Sequence, residues 1–261
     1  MKTLVTRLSP LVIALAALAA GADPATNAPP TTTETAETHS AEVIETDWTP
    51  VLLQLGWKGE DDFDSSNPPP NVSGLALGLA SVAANDVVGV DMALGIPVAL
   101  DSVWGIQAGL FGPMAFGSMN GIQVGGVFSG STRVSGVSIG GLMAGAERLD
   151  GIVLGGLFAS AETGHGIVAS FGFTETGNAV ALANAPSRPF TGIQIAGIAN
   201  FGSDVTGLQI APFFNFAGEL HGMQVGFVNK AFSGCGVQIG LFNFFGRDED
   251  TVLLPLINAR F

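Results

Sequence analysis

The chain has almost no means of cross-linking itself, with one cysteine, Cys235, in 261 residues. A single thiol excludes an internal disulfide framework and a cysteine-rich zinc or iron–sulfur centre, so packing and backbone hydrogen bonds must hold the fold. Tyrosine is absent and tryptophan occurs three times, which is poor material for the aromatic girdles of a membrane barrel. Charge is scarce at 12% of residues, and bases are scarcer still, with nine Lys and Arg against 22 Asp and Glu. The formal charge of −13 disfavours nucleic acid and anionic headgroups, because a phosphate-rich partner is repelled rather than steered in. Beyond the N-terminus no apolar run is long enough for a helix to cross a bilayer. Glycine is abundant, with 37 copies, and hydrophobic types make up 47%, enough for one sizeable domain with a real core.

Met1 to Ala22 carries Lys2 and Arg7, an apolar stretch from Leu11 to Ala20, and the small triplet Ala20-Gly21-Ala22. That is the three-part layout of a secretory signal peptide, so export is expected, with a mature chain starting near Asp23. No cysteine follows the apolar stretch to serve as a lipoprotein acceptor. Residues 23–47 are mostly Ala, Thr, Pro and Glu and cannot bury enough surface to offset the entropy of ordering, which predicts a disordered acidic linker. Trp48 to Phe261 is then a single β-repeat domain, with a first strand over Trp48–Trp57 and an acidic loop over Gly59–Pro70. Most of the negative charge lies outside the repeats: Asp23 to Pro70 holds ten acids and one Lys, whereas Asn71 to Gly246 holds nine acids and four bases. Glu60, Asp61, Asp62 and Asp64 invite a calcium test, but the EF-hand glycine and terminal Glu are missing at the required places.

Self-similarity is the main signal. A short unit of Gly, an aliphatic, often Gln, an aliphatic, then Gly or Ala begins at Gly74, Gly89, Gly105, Gly121, Gly136, Gly151, Gly166, Gly177, Gly192, Gly207, Gly222 and Gly236. Successive intervals are 15, 16, 16, 15, 15, 15, 11, 15, 15, 15 and 14 residues. The sharpest copies are Gly192-Ile-Gln-Ile-Ala-Gly-Ile-Ala-Asn200, Gly207-Leu-Gln-Ile-Ala-Pro-Phe-Phe-Asn215, Gly222-Met-Gln-Val-Gly-Phe-Val-Asn229 and Gly236-Val-Gln-Ile-Gly-Leu-Phe-Asn243. Aliphatics on either side of a Gln give the period-2 alternation of a strand with one buried face. On that reading the aliphatics, Ile195 and Ile210 among them, face the core and the Gln faces out. Glycines at the strand ends supply corners where the backbone must bend, and units this short must stack on their neighbours to build a core.

Two all-β arrangements use such a unit. In a parallel β-solenoid of about twelve 15-residue coils, one unit is one coil and the stack is a rod of roughly 55–60 Å at ~4.8 Å per coil. In an antiparallel outer-membrane β-barrel, one unit is a strand plus a turn, and features of one rim recur every second unit. The repeat holds at every unit, and the rows Gln194, Gln209, Gln224, Gln238 and Asn200, Asn215, Asn229, Asn243 are what amide ladders between parallel coils require. The solenoid is therefore expected. The closing Thr251-Val-Leu-Leu-Pro-Leu-Ile-Asn-Ala-Arg-Phe261 keeps the barrel as an alternative, since alternating apolar residues before a final Phe are similar to the last strand of bacterial outer-membrane barrels. Pro255 interrupts that register, and a strand that caps a solenoid would serve equally well.

The units, with Pro-Leu-Ile-Asn-Ala-Arg-Phe at the end, resemble a family of bacterial exported surface-repeat proteins built from tandem Gly-Leu-Gln-Ile-Gly-Leu-x-Asn copies. The resemblance covers Asn71 to Phe261 and is strongest over the last four full units. It implies a cell-envelope protein with no established enzymatic activity. The acceptor Cys of that family's lipoprotein members is missing here.

Candidate chemistry is thin. Gly136-Val-Ser-Ile-Gly140 fits a hydrolase nucleophile motif, with His165 or His221 as a conceivable base, but Ser138 holds the slot that is Gln in neighbouring units and no α/β alternation surrounds it. His39 falls in the linker, and His165 and His221 fall at turns, without a second ligand at metal spacing. Cys235 sits between Gly234 and Gly236 at a corner with no His or base beside it in sequence, and is read as an inert small residue rather than a nucleophile. Flat threonine arrays of the ice-binding kind are missing. No catalytic, cofactor-binding or metal residue is assigned. The expectation is a non-enzymatic structural or interaction protein of the periplasm, outer membrane or cell surface, whose partner is a protein, a glycan or an envelope component.

Overall fold

The computed structural model describes residues 48–54, 69–177, 188–247 and 250–261. The expected signal peptide, the linker with His39, and the loop acids Glu60, Asp61, Asp62 and Asp64 lie outside the described residues. Trp48–Phe261 is one compact unit. Its strands are β1 (Trp48–Gln54), β2 (Asn71–Gly78), β3 (Ser81–Ala93), β4 (Ile96–Gly109), β5 (Met114–Gly125), β6 (Phe128–Gly140) and β7 (Met143–Gly155), followed by β8 (Phe158–Ser170), β9 (Phe173–Thr176), β10 (Pro189–Ala196), β11 (Ala199–Ile210), β12 (Phe214–Val225), β13 (Val228–Phe245) and β14 (Val252–Arg260). Strands adjacent in sequence pair in parallel from β1 to β9 and from β10 to β13, and β10 also pairs in parallel with β8. The protein is a β-solenoid of about eleven turns and not a barrel.

The glycine of each unit falls opposite the glycine of the next, from Gly74 against Gly89 to Gly222 against Gly236. These are the corners. Gly121 has φ +137°, and a Cβ there would lie 2.0 Å from the Gly105 carbonyl oxygen, so both the backbone conformation and the approach of the previous coil demand glycine. Gly177 does not open a coil, and one expected turn is lost. It ends β9 with φ +69°, and the register passes over it, pairing Gly166 with Gly192. The 11- and 15-residue intervals belong to one coil, formed by β9, an insertion and β10.

Counting from the corner glycine as position 0, position −2 is the hydrocarbon core. Val72, Val87, Val103, Met119, Val134, Leu149, Phe190, Val205 and Leu220 occupy it, all with no exposed surface. Where Phe190 enters, its partner in the preceding coil is Gly164, so a large side chain stacks against the gap left by a small one. Strand alternation carries the same parity through the corner, so position +2 also points inward. Gln107, Gln123, Gln194, Gln209, Gln224 and Gln238 are fully buried there, whereas Ile195 and Ile210 are 41% and 36% exposed. The expected buried face is therefore inverted: the glutamines line the interior and the flanking aliphatics face outward.

The buried amides hydrogen-bond to one another, as low-dielectric surroundings require, and Gln238 Oε1, at the end of its ladder, is left without a partner. Gln238 donates to Gln224 at 2.8 Å and Gln224 to Gln209 at 2.7 Å, and Gln209 donates in turn to Gln194, whose Nε2 ends on the Thr176 hydroxyl. Each Nε2 also donates across the coil to a backbone carbonyl of the wall beyond the turn, as Gln209 does to Phe216 at 3.2 Å. Small buried residues in that wall, Ala217 and Ala231, leave room for the crossing. The Asn row forms a second ladder at the turn, Asn200 to Asn215 to Asn229 to Asn243, with steps of 2.7–2.8 Å. Its donors point toward the C-terminus and those of the Gln ladder toward the N-terminus. An earlier Gln ladder, Gln123 to Gln107 to Asp91, uses 2.9 Å steps. Between the two Gln ladders Val153 and Val168 hold the slot, and hydrocarbon replaces the amides.

At the C-terminal end β14 pairs antiparallel with β13, and the register shifts between Gly240 and Asn243 opposite Leu256 and Leu254. Pro255 falls at that shift, where a missing N–H costs no ladder hydrogen bond. Asn258 tucks inward opposite Gln238 and donates to the Asn243 carbonyl at 3.3 Å. The last segment is the cap of a solenoid rather than the closing strand of a barrel.

Candidate functional site

Parity puts position −1 outside, and the register stacks this row along the solenoid: Asp150, His165, Thr191, Thr206, His221 and Cys235. Cys235, which has no base near it in sequence, therefore has one in space. His221 Nδ1 is 3.3 Å from Cys235 Sγ, and His221 Nε2 is 2.9 Å from Glu219 Oε1. The Cys235 hydrogen bond, and then that of Glu219, raises the imidazole pKa above its ordinary value. A thiol, an imidazole and a carboxylate in line are the parts of a proton relay. Here all three are exposed, with side-chain exposures of 43% for His221 and 49% for Glu219. Among the described residues nothing encloses the exposed line, so it lacks the enclosure that acyl-transfer chemistry requires. The repeat itself carries the signal for this pair, since both residues immediately precede a corner glycine.

The other residues singled out from sequence are dispersed. Ser138 is buried opposite Gln123, to whose Oε1 it donates at 3.0 Å, and its Oγ is 2.8 Å from Ser129 Oγ. It is a rung of the ladder, with no imidazole against it. His165 is exposed, with Nδ1 3.7 Å from Asp150 Oδ1. Among the described residues no cluster of His, Cys, Asp and Glu is arranged to hold a metal ion. A polar groove runs past Asp101, Arg133, Glu147, Arg148 and Arg188, with Glu162 and Arg188 paired at its side. Burial raises the Glu162 carboxyl, the Arg188 guanidinium opposes that rise, and Glu147 and Glu175 reinforce it. This is a self-neutralising set rather than an unmet charge.

The largest feature is apolar. Positions +1 and +3 flank the inward glutamine and point outward in every coil. Position +1 reads Leu75, Val90, Ile106, Ile122, Val137, Ile152, Ile167, Ile193, Leu208, Met223 and Val237, and position +3 is uncharged and apolar in the same eleven coils. Leu79, Leu94, Leu110, Leu142, Leu157, Phe171, Phe213 and Phe227 extend the surface at the following turn, where Leu110 is 64% and Phe171 87% exposed. At ~4.8 Å per coil over ten steps and ~3.3 Å per residue, this face is about 48 Å long and about 13–16 Å wide, or roughly 600–800 Å². That exceeds the few hundred Å² expected of an uncommitted monomer surface.

Comparison of the chain with protein-family models, with curated proteins and with solved structures finds no match.

Proposed function

We propose that the protein is an exported, non-enzymatic structural or interaction component of the bacterial cell envelope. The observation that carries this reading is the continuous apolar face, which is costly to expose to water and is of a size that belongs to a recognition surface. Three further features support it: the tripartite N-terminus, the resemblance of the repeats to exported surface-repeat proteins, and a stacked scaffold whose buried Gln and Asn rows bond to one another instead of facing a cleft. The partner classes that suit an uncharged, regular surface are a protein, a glycan or another envelope component.

Fractionation of a Gram-negative host producing the full chain tests the reading. The expected result is a product shortened to begin at Asp23 and recovered from the envelope or periplasm. Uncleaved chain in the cytoplasm would overturn it.

A further inference from the structure

We propose that the apolar face is a self-association surface, on which two copies pack face to face about a twofold axis. The inference rests on reading this face as an interaction surface, but not on export. Three observations select a second copy as the occupant.

The first is area. A face of roughly 600–800 Å² per partner matches the ~800 Å² that each side contributes to a standard stable interface. The second is shape. Ile106, Ile122, Ile152, Ile193 and their neighbours at +1 and +3 form straight ridges with the coil spacing as their repeat, and an identical sheet brings grooves of the same spacing. Two such faces interdigitate about 10 Å apart, as in a β-sandwich, and a self-complementary patch satisfies the twofold requirement that it meet its own copy. The third is charge. No acid or base occupies +1 or +3 in any of the eleven coils, so two faces meet without desolvating an ion. Of the described acids, Asp86, Asp101, Glu147, Asp150, Glu162, Asp204 and Glu219 lie before the corner glycine, away from the contact, and Asp91 at +2 is buried on the inner side. A bilayer fits less well. No Lys or Arg sits at +1 or +3 to engage headgroups, and the chain's charge of −13 repels anionic lipid.

Sedimentation of the full chain at micromolar concentration tests the proposal. The expected mass is close to twice the 26.5 kDa of one chain. Ile122→Lys with Ile195→Lys sets charges in the fourth and eighth of the eleven coils and should weaken the dimer at least about a hundredfold, because an unpaired charge is buried at the contact. The far-UV circular dichroism should be unchanged. Thr206→Lys, on the neighbouring outward row, should leave the dimer intact. Should the lysine pair prevent folding, Ile122→Thr with Ile195→Thr keeps β-branched residues and should still weaken association. A monomeric wild-type chain would overturn the proposal. So would a folded lysine variant that dimerises as the parent does, or sedimentation of the wild type with neutral phosphatidylcholine vesicles in place of dimer formation.

Discussion

Asp91→Asn should remove a pH dependence that is built into the interior. Asp91 occupies position +2 of its coil and its side chain is wholly buried. Gln107 Nε2 donates to its Oδ2 at 2.9 Å, but Oδ1 has no partner. The reason is visible one coil back, where the same slot holds Ala76 and offers only a methyl group. Burial raises the carboxyl pKa from 3.8 to about 7, against the smaller opposing effect of the Gln107 hydrogen bond. A folded-state pKa above the unfolded one gives stability that is complete below about pH 4 and is lost as the pH rises through about 7. A displacement of roughly three units, at about 1.4 kcal/mol each, sets an upper bound of about 4 kcal/mol. Asparagine keeps the acceptor for Gln107 and cannot ionise. Urea unfolding of both chains between pH 4 and pH 8 should therefore give a stability difference that favours the variant increasingly with pH, by about 2–4 kcal/mol at the alkaline end. Glu162, Asp204 and His221, also raised, titrate in both chains and cancel in the difference. A difference that stays constant with pH would refute the reasoning.

Gly121→Ala should cost at least about 3 kcal/mol, or prevent folding, because a backbone conformation open only to glycine would be strained and a methyl would meet the Gly105 carbonyl oxygen; chemical denaturation reads the loss. Gln209→Leu removes the acceptor for Gln224 and the donor for Gln194 and Phe216, and should cost roughly 3–6 kcal/mol although it adds hydrocarbon. Cys235→Ala should lower the His221 pKa toward its ordinary value, because the hydrogen bond to the thiol is the first cause of its rise; an NMR titration of the imidazole checks this, and an unmoved pKa would mean the two side chains do not meet in solution.

The direction of the strands was legible because a 15-residue phase, rather than a 30-residue one, places every unit in the same orientation. The amide ladders were legible for the same reason, since parallel stacking sets like residues on like. The inside of the coil is the reverse of what the pattern suggests. Alternation across Gly-Ile-Gln-Ile shows two faces but does not say which is inner, and hydrophobic preference assigns the aliphatics to the core. The deciding residues lie on the other side of the corner. Val205 stands between Asp204 and Thr206, and Leu220 between Glu219 and His221, so position −2 is unambiguously inward, and two more steps of alternation carry Gln209 and Gln224 to the same side. A perimeter of about fifteen residues encloses an interior narrow enough for one glutamine to bridge two walls, which hydrophobicity alone does not reveal. Gly177 imitates a repeat at the end of β9, and only pairing across it exposes the longer coil. The meeting of His221 with Cys235 is written in their common offset from Gly222 and Gly236, but their separation along the chain hides it.

The inverted interior is tested most directly by placing the same residue at two consecutive positions, Gln209→Asp and Ile210→Asp, and measuring the stability of each by urea unfolding. With glutamine inside and isoleucine outside, Gln209→Asp buries an unpaired carboxylate and should cost at least about 4 kcal/mol, while Ile210→Asp should cost only about 1 kcal/mol, as a poor strand former on an exposed face. The opposite order, with Ile210→Asp unfolding the protein and Gln209→Asp tolerated, would contradict the account.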